Sequence, residues 1–140
     1  MATLQIKTII LGYDGSEGSR KAVDMAAELA RTCQASIIVV SAFHQMPRVT
    51  QPKTNDFKDI HETRTLADDL VAELELMGIS AETDVLEGPP ADALLNAAEA
   101  HEADLIVVGS RGLGQFKGLL LGSTSDRVLH FATIPVLVAR

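Results

Sequence analysis

The residues best suited to chemistry lie in a glycine-rich stretch, GSRGLGQFKGLLLGST, that runs from Gly109 to Thr124. It holds five glycines, and its only charged residues are Arg111 and Lys117. Backbone N–H groups of such a turn, together with the N-terminus of a following helix, bind an anion without needing lysine side chains. The stretch is locally cationic in a chain whose formal net charge is −7, and this contrast predicts an anionic ligand.

Individual positions in this stretch have separate expected roles. Gly109 should let the chain leave a strand without placing a Cβ in the ligand crevice, and Gly112 can adopt a positive φ. Gly122 again removes a side chain, and Ser123 offers a hydroxyl and an N-cap to the next helix. Because Asp126 follows three residues later, the pair predicts a capping box with aspartate in place of glutamate.

Familiar catalytic and nucleotide motifs do not fit this chain. It has no G-x-x-x-x-G-K-[ST] sequence, and GSRGLG has its glycines in a different order from G-x-G-x-x-G. The histidines, His44, His61, His101 and His130, show no spacing typical of a metal site. No histidine can be assigned to Ser110 or Ser123, so no nucleophilic triad is predicted.

Short apolar runs alternate with segments of helical period, which predicts a β-α-β-α-β-α-β-α-β order. The expected strands are Ile6–Tyr13, Ser36–Phe43, ISAETDVLEG, DLIVVG and VLVAR. The expected helices begin at an N-cap, Ser16, at about Phe57 (ending near Met77 before Gly78), after Gly88-Pro89-Pro90, and at about Thr124 (ending at Phe131).

Right-handed crossovers place this order in an α/β fold, a three-layer sandwich with one parallel sheet and helices on both faces. Ligands of such folds bind at the carboxyl ends of the strands, where the strand order reverses. If the first and fourth strands are central neighbours, the segments GYDGS and GSRGLG open onto the same crevice. The fold therefore predicts a ligand site there.

Composition limits the remaining function classes. The 140 residues are one domain by length, with 46% apolar and 22% charged residues. An acidic chain without a long apolar run argues against nucleic-acid binding and membrane insertion. The single cysteine, Cys33, fits a reducing cytoplasm and is expected to be a buried helical residue; Met25 and Met77 are expected in the core.

Three separated motifs make the chain resemble the universal stress protein family. Gly109-x2-Gly112, nine residues, then Gly122-Ser123 looks like the G-x2-G-x9-G-[ST] signature of its ATP-binding branch. The segments ILGYDGSEGSRKAVDMAAELA, ADLIVVGSRG and IPVLVAR extend the likeness over the whole chain. The resemblance implies a five-stranded parallel sheet in the order 3-2-1-4-5, a homodimer, and an adenine nucleotide held between the first and fourth strands.

The resemblance also implies roles for residues at matching positions. Asp14 would approach the ribose or a phosphate-bound Mg²⁺, with Gly12 beside the nucleotide, and the backbone of Ala42 would hydrogen-bond the adenine edge. The phosphates would be carried by one set of residues: Gly109, Ser110, Arg111, Gly112, Gly114, Gln115, Gly122, Ser123 and Thr124. Asp14 alone, as part of Asp-Gly, is equally typical of a simple turn.

The last strand predicts how the chain assembles. It is apolar throughout and, in the implied order, lies at an edge of the sheet, so a second copy is expected to pair with it through Val136, Leu137 and Val138.

Four functions remain open at this point. The preferred one is a regulatory protein that binds ATP or a related adenine nucleotide and signals through occupancy or oligomeric state. The missing P-loop lysine and the lack of an assignable general base argue against rapid phosphoryl transfer. The others are a slow ATPase or autophosphorylating enzyme, a sensor of AMP or cyclic AMP, and a subunit that binds a regulatory protein or transporter.

Overall fold

The protein folds as a three-layer α/β sandwich around one parallel sheet. A computed structural model describes residues 5–44, 59–110 and 121–140. The five strands follow the order β3-β2-β1-β4-β5, so β1 lies at the centre between β2 and β4. The predicted element order and the implied sheet order are both confirmed. The elements run in sequence as β1 (Thr8–Gly12), α1 (Glu17–Cys33), β2 (Ser36–Phe43), α2 (Ile60–Leu76), β3 (Ala81–Glu87), α3 (Pro90–Ala100), β4 (Leu105–Gly109), α4 (Ser123–Phe131) and β5 (Val136–Ala139).

The central strands are buried on both faces, which explains why their sequences are continuously apolar. Ile9 and Leu11 face α1 and α2, whereas Ile10 faces α3 and α4. The small residues of α1 (Ala22, Val23, Ala26, Ala27 and Ala30) pack in the first of these two core layers. Both core layers pack against β1, so the strand whose carboxyl end leads into the candidate site is held in place from both faces.

Helix α1 begins as the sequence predicts. Ser16 is the N-cap, and its side chain accepts a hydrogen bond from the Ser19 backbone N–H at 3.2 Å. Glu17 lies in the first turn, where a negative charge interacts favourably with the helix dipole. At the end of α2, Gly78 adopts a φ of +81°, which glycine tolerates without strain.

Three predicted core residues are on the surface instead. Met25 and Met77 are 42% and 41% exposed, and Cys33 is also exposed. Their helices do carry an apolar face toward the sheet, but these three side chains lie beside that face or at the helix end, where the sheet does not cover them. None of the helices in the described ranges is both long and apolar enough to cross a bilayer.

Candidate functional site

The turn that follows β1 is fixed by its own polar groups. Gly15 takes a φ of +82°, and the Ser16 backbone N–H donates to Asp14 Oδ1 at 2.9 Å. The Ser19 hydroxyl donates to the Ser16 carbonyl at 3.0 Å and accepts from the Asp14 backbone N–H at 3.4 Å. This network closes Asp14 into a turn at the N-terminus of α1, so the Asp-Gly turn expected from the sequence is present, and its aspartate is held at the carboxyl edge of the sheet.

At the end of β4, the structure corrects the expected reason for Gly109. A Cβ on this residue would lie 2.3 Å from the Gly18 carbonyl oxygen of α1, a distance that no side chain can occupy. The space is filled by the backbone of α1 rather than by a ligand crevice. Gly109 therefore lets the first turn of α1 approach β4 closely, which brings the N-terminus of α1 next to the strand end.

The N-terminus of α4 is joined to the same strand end. The Gly122 backbone N–H donates to the Ser110 carbonyl, and the Ser125 hydroxyl donates to the Gly109 carbonyl. The Ser110 backbone N–H donates in turn to the Ala139 carbonyl of β5 at 2.8 Å. These bonds place Ser110 directly against the start of α4, although eleven residues of chain separate Ser110 from Gly122.

The predicted capping box at α4 is wrong. The N-cap is Gly122, with φ −71° and ψ 165°, and Ser123 is already the first helical residue. Since glycine has no side chain, the N-cap supplies no acceptor to the first-turn amides, whereas α1 receives one from Ser16. An anion is the natural partner of amides at such a helix start. The Ser123 and Thr124 hydroxyls lie in this first turn.

Two further predicted residues, Gly12 and Ala42, lie at the same edge of the sheet. Gly12 ends β1, where a Cβ would lie 3.2 Å from side-chain atoms of Leu94 and Val108. Ala42, near the end of β2, is half-buried. Since β1 pairs in parallel with β2 and β4, the carboxyl ends that carry Gly12, Ala42 and Gly109 are adjacent. The other predicted phosphate ligands, Arg111, Gly112, Gly114 and Gln115, lie outside the described residues.

Sequence reasoning missed three buried hydroxyls beside this edge. Ser19, Ser41 and Ser125 are 6%, 4% and 3% exposed, yet none was singled out. Ser41 interrupts the apolar run of β2, SIIVVSAF, and a polar residue in a strand buried on both faces was the available signal.

An ion pair braces the helices above the turn. Arg20 of α1 binds Glu73 of α2 through both guanidinium Nη atoms, with an Nη1–Oε2 distance of 2.9 Å. The hydrogen bond to Glu73 raises the pKa of Arg20, and the neighbouring Tyr13 raises the pKa of Arg20 further. The bond from Arg20 lowers the pKa of Glu73. The pair thus connects α2 through Arg20 to Tyr13, the residue before Asp14.

Among the described residues, this edge offers backbone amides, hydroxyls and the Asp14 carboxylate, with Glu17 and Asp126 in the first turns of α1 and α4. Across the described residues, no group of three or more His, Cys, Asp or Glu side chains could hold a metal ion. His101 instead pairs with Asp84 of β3, with 2.9 Å between Nε2 and Oδ2. The role of Asp14 toward a phosphate-bound Mg²⁺ stays a prediction.

Comparison with known proteins identifies the family. The model of the universal stress protein family matches residues 5–140. The chain belongs to the universal stress protein family. A universal stress protein of Thermus aquaticus, described by its position in the 3′ region of a QAH/OAS sulfhydrylase, is 39% identical over 137 residues, which cover 96% of this chain and 98% of that protein.

Solved universal stress proteins share the fold. One, in complex with cAMP, is 28% identical and superposes with a TM-score of 0.73 over 97% of this chain and 98% of its own. Another, from Archaeoglobus fulgidus in complex with dAMP, is 23% identical with a TM-score of 0.70 and covers 99% of this chain and 100% of its own.

Proposed function

We propose that this universal stress protein binds an adenine nucleotide, with ATP as the preferred ligand, at the carboxyl edge of β1 and β4. The observation that carries the proposal is the start of α4, which has a glycine N-cap and is hydrogen-bonded to the end of β4 through Ser110. The complexes of two structural relatives with cAMP and dAMP support an adenine nucleotide as the ligand.

The proposed roles follow the order of the strands across this edge. Asp14 approaches the ribose or a phosphate-bound Mg²⁺, with Gly12 beside it, and the backbone of Ala42 hydrogen-bonds the adenine edge. The phosphates meet Gly109, Ser110 and the first turn of α4, where Ser123 and Thr124 add their hydroxyls to the backbone amides. A monophosphate uses fewer of these groups, so AMP and cyclic AMP are the alternative ligands.

The role that we propose is regulatory, through nucleotide occupancy in a stress response. The described part of the edge presents amides and hydroxyls that can bind phosphate, and the Ser16 amide holds the Asp14 carboxylate in a turn. This arrangement favours occupancy by a nucleotide over rapid phosphoryl transfer. The second candidate is slow hydrolysis or autophosphorylation with Asp14 at Mg²⁺; single-turnover assays of the wild type with and without Mg²⁺, compared with Asp14→Ala, separate the two.

Calorimetric titration with ATP, AMP, cyclic AMP and GTP tests the proposed ligand. We expect the adenine nucleotides to bind and Ser123→Ala/Thr124→Ala to weaken ATP by roughly 10²- to 10⁴-fold, because each of the two lost hydroxyl bonds to a charged group contributes about 1.5–3 kcal/mol. The matched control is Ser80→Ala, an exposed serine in the turn before β3. If none of the four nucleotides binds, the proposal is wrong, and a subunit that binds a regulatory protein or transporter becomes the better hypothesis.

We also propose a homodimer through β5, by which occupancy in one copy reaches the other. Among the described strands β5 pairs only with β4, and Val136, Leu137 and Val138 are half-buried there. A two-fold partner that pairs β5 with β5 would satisfy both edges at once. A monomer by light scattering at micromolar concentration would contradict it. A cytoplasmic location belongs to the same proposal and fits the exposed free thiol of Cys33.

A further inference from the structure

Both backbone polar groups of Tyr13, the residue before Asp14, are hydrogen-bonded to β2. The Tyr13 backbone N–H donates to the Val40 carbonyl at 3.1 Å, which continues the β1–β2 ladder beyond Gly12. The Tyr13 carbonyl accepts from the Ser41 hydroxyl at 2.7 Å, although 28 residues separate the two along the chain. The start of the turn is therefore fixed by β2, and Ser41 makes this contact with its side chain.

The rest of the turn is fixed by α1. Asp14 Oδ1 accepts from the Ser16 amide, and the Asp14 amide donates to the Ser19 hydroxyl. Rotation of the Tyr13–Asp14 peptide would break bonds at both ends of this segment. The orientation of the Tyr13–Asp14 peptide thus depends on two contacts from outside the turn, one from Ser19 and one from Ser41, while the Ser16 amide holds the Asp14 carboxylate.

Ser41 is an unusual choice for its place in the strand. It is 4% exposed, and its neighbours in β2 include the buried residues Val40 and Phe43. Burying a hydroxyl costs free energy unless it is hydrogen-bonded, so an apolar residue would suit the core better. What the hydroxyl provides is the bond to Tyr13, and Ser41 directly precedes Ala42, the residue proposed to read adenine.

We infer that Ser41 is a positioning residue that sets Asp14 against the ribose of the bound nucleotide. The inference rests on the proposed function, because it assigns how one residue of that site is oriented. Ser41 does not touch the ligand in this arrangement. It acts through the Tyr13 carbonyl and couples the end of β2 to the turn after β1. The distance between Ala42, proposed to bind the adenine edge, and Asp14, proposed to bind the ribose, is thereby fixed.

The chain offers a matched control on the same strand. Ser36 begins β2, and its hydroxyl also donates to a carbonyl of the β1 segment, that of Lys7, at 3.3 Å. This contact lies at the opposite, amino end of the sheet. Ser36→Ala removes a hydroxyl-to-carbonyl bond between the same two segments and leaves the site untouched.

The test compares ATP with deoxy-ATP that lacks the 2′ or the 3′ hydroxyl, in competition titrations on the full chain. We expect the wild type to prefer ATP over at least one deoxy analogue. Ser41→Ala should weaken ATP by roughly 3- to 10-fold, the range of one lost hydrogen bond, and bring the ATP-to-deoxy ratio close to one. Ser41→Thr should restore the ratio, and Ser36→Ala should leave it unchanged. Ser41→Cys, which fills the space with a weak donor, replaces the alanine variant if that variant does not fold.

The ratio separates positioning from a general structural role, because loss of folded protein lowers the apparent affinity for all three nucleotides equally. A wild type that binds ATP and both deoxy analogues equally, or a Ser41 variant that weakens all three without changing the ratio, overturns the inference while nucleotide binding stands. A wild type that binds none of the nucleotides overturns the proposed function itself, and the inference with it.

Discussion

The two edges of the sheet differ in chemistry. Strand β5 has the sequence VLVA, whereas β3, AETDVLE, carries three acidic residues in seven. The contrast extends beyond the strands, since 13 of the 19 acidic residues lie between Asp59 and Asp104, where Arg64 is the only cation. Charged side chains on an edge strand discourage pairing with another chain, and an apolar edge invites it. The difference favours the β5 edge over the β3 edge for the proposed pairing with a second copy.

The helices next to these edges show the same difference in polarity as the strands. Helix α4, which contacts β5, exposes Leu129 and Phe131, and the Arg127 guanidinium lies 5.2 Å from the centre of the Phe131 ring. At the other edge, the end of α3 binds β3 through His101, which pairs with Asp84 and lies 3.7 Å from Glu82. Polar contacts within the chain thus occupy the β3 edge, and apolar surface adjoins β5.

The largest effect should come from removing an outward amide of β5. Pro135 and Ala139 accept hydrogen bonds from β4, and because residues of a strand alternate in direction, the Val136 and Val138 amides point away from it. Val138→Pro should therefore spare the β4 ladder but remove a pairing bond and insert a ring at the interface. We expect the dissociation constant of the dimer, measured by analytical ultracentrifugation, to rise at least about 100-fold, because in a two-fold dimer each substitution removes the bond from both copies.

The control for this variant lies on the other edge. Ser80 accepts from the Ile37 amide of β2, so the Thr83 amide, three residues on, points outward from β3. Thr83→Pro should leave the dimer intact. If both proline variants dissociate it equally, the two edges do not differ in the way proposed here, and if neither does, β5 is not the interface.

The five strands were largely predictable from the sequence pattern, whereas the position of β5 at an edge came from the family resemblance. Apolar runs of strand length separated by helical periods identify all five strands, and continuous apolar character distinguishes β1 and β4 from the alternating β3. Ser16 predicted the start of α1 because a serine followed by an acidic residue satisfies the first-turn amides locally. Features that depend on near neighbours in the chain were therefore accessible.

Features that depend on contacts between distant segments could not be predicted from the sequence. Met25 and Cys33 lie on a helix with an apolar stripe, but which side chains the sheet covers depends on how the helix sits across the strands. Gly109 looked like a ligand-facing glycine, whereas its reason is the backbone of α1 at Gly18. The capping of α4 and the Ser41–Tyr13 bond likewise depend on segments that meet only in the folded chain.

A smaller effect should come from the apolar surface beside β5. Phe131 is 60% exposed in the single chain, so Phe131→Ala should change its stability little but weaken the dimer about 10-fold, as truncation of an aromatic interface residue typically does. The measurement is the dissociation constant of the dimer by ultracentrifugation. Leu76→Ala is the matched control, because Leu76 ends α2, inside the acidic stretch from Asp59 to Asp104, and is 90% exposed. Equal weakening by both variants would show that exposed apolar area, and not its position beside β5, determines assembly.

The smallest effect concerns the Arg20–Glu73 ion pair between α1 and α2. Both side chains are nearly half exposed, so Glu73→Gln should lower the free energy of unfolding by only about 0.2–1 kcal/mol at neutral pH. Arg20 lowers the pKa of Glu73 in the folded state, so the stabilisation is complete above the unfolded pKa of about 4.3 and is lost as the pH falls through the lower folded value. Urea unfolding at one protein concentration should show wild type and variant converging in acid, while Glu75→Gln on the same helix shows no such convergence. A difference that persists in acid would mean that Glu73 acts by packing rather than by charge.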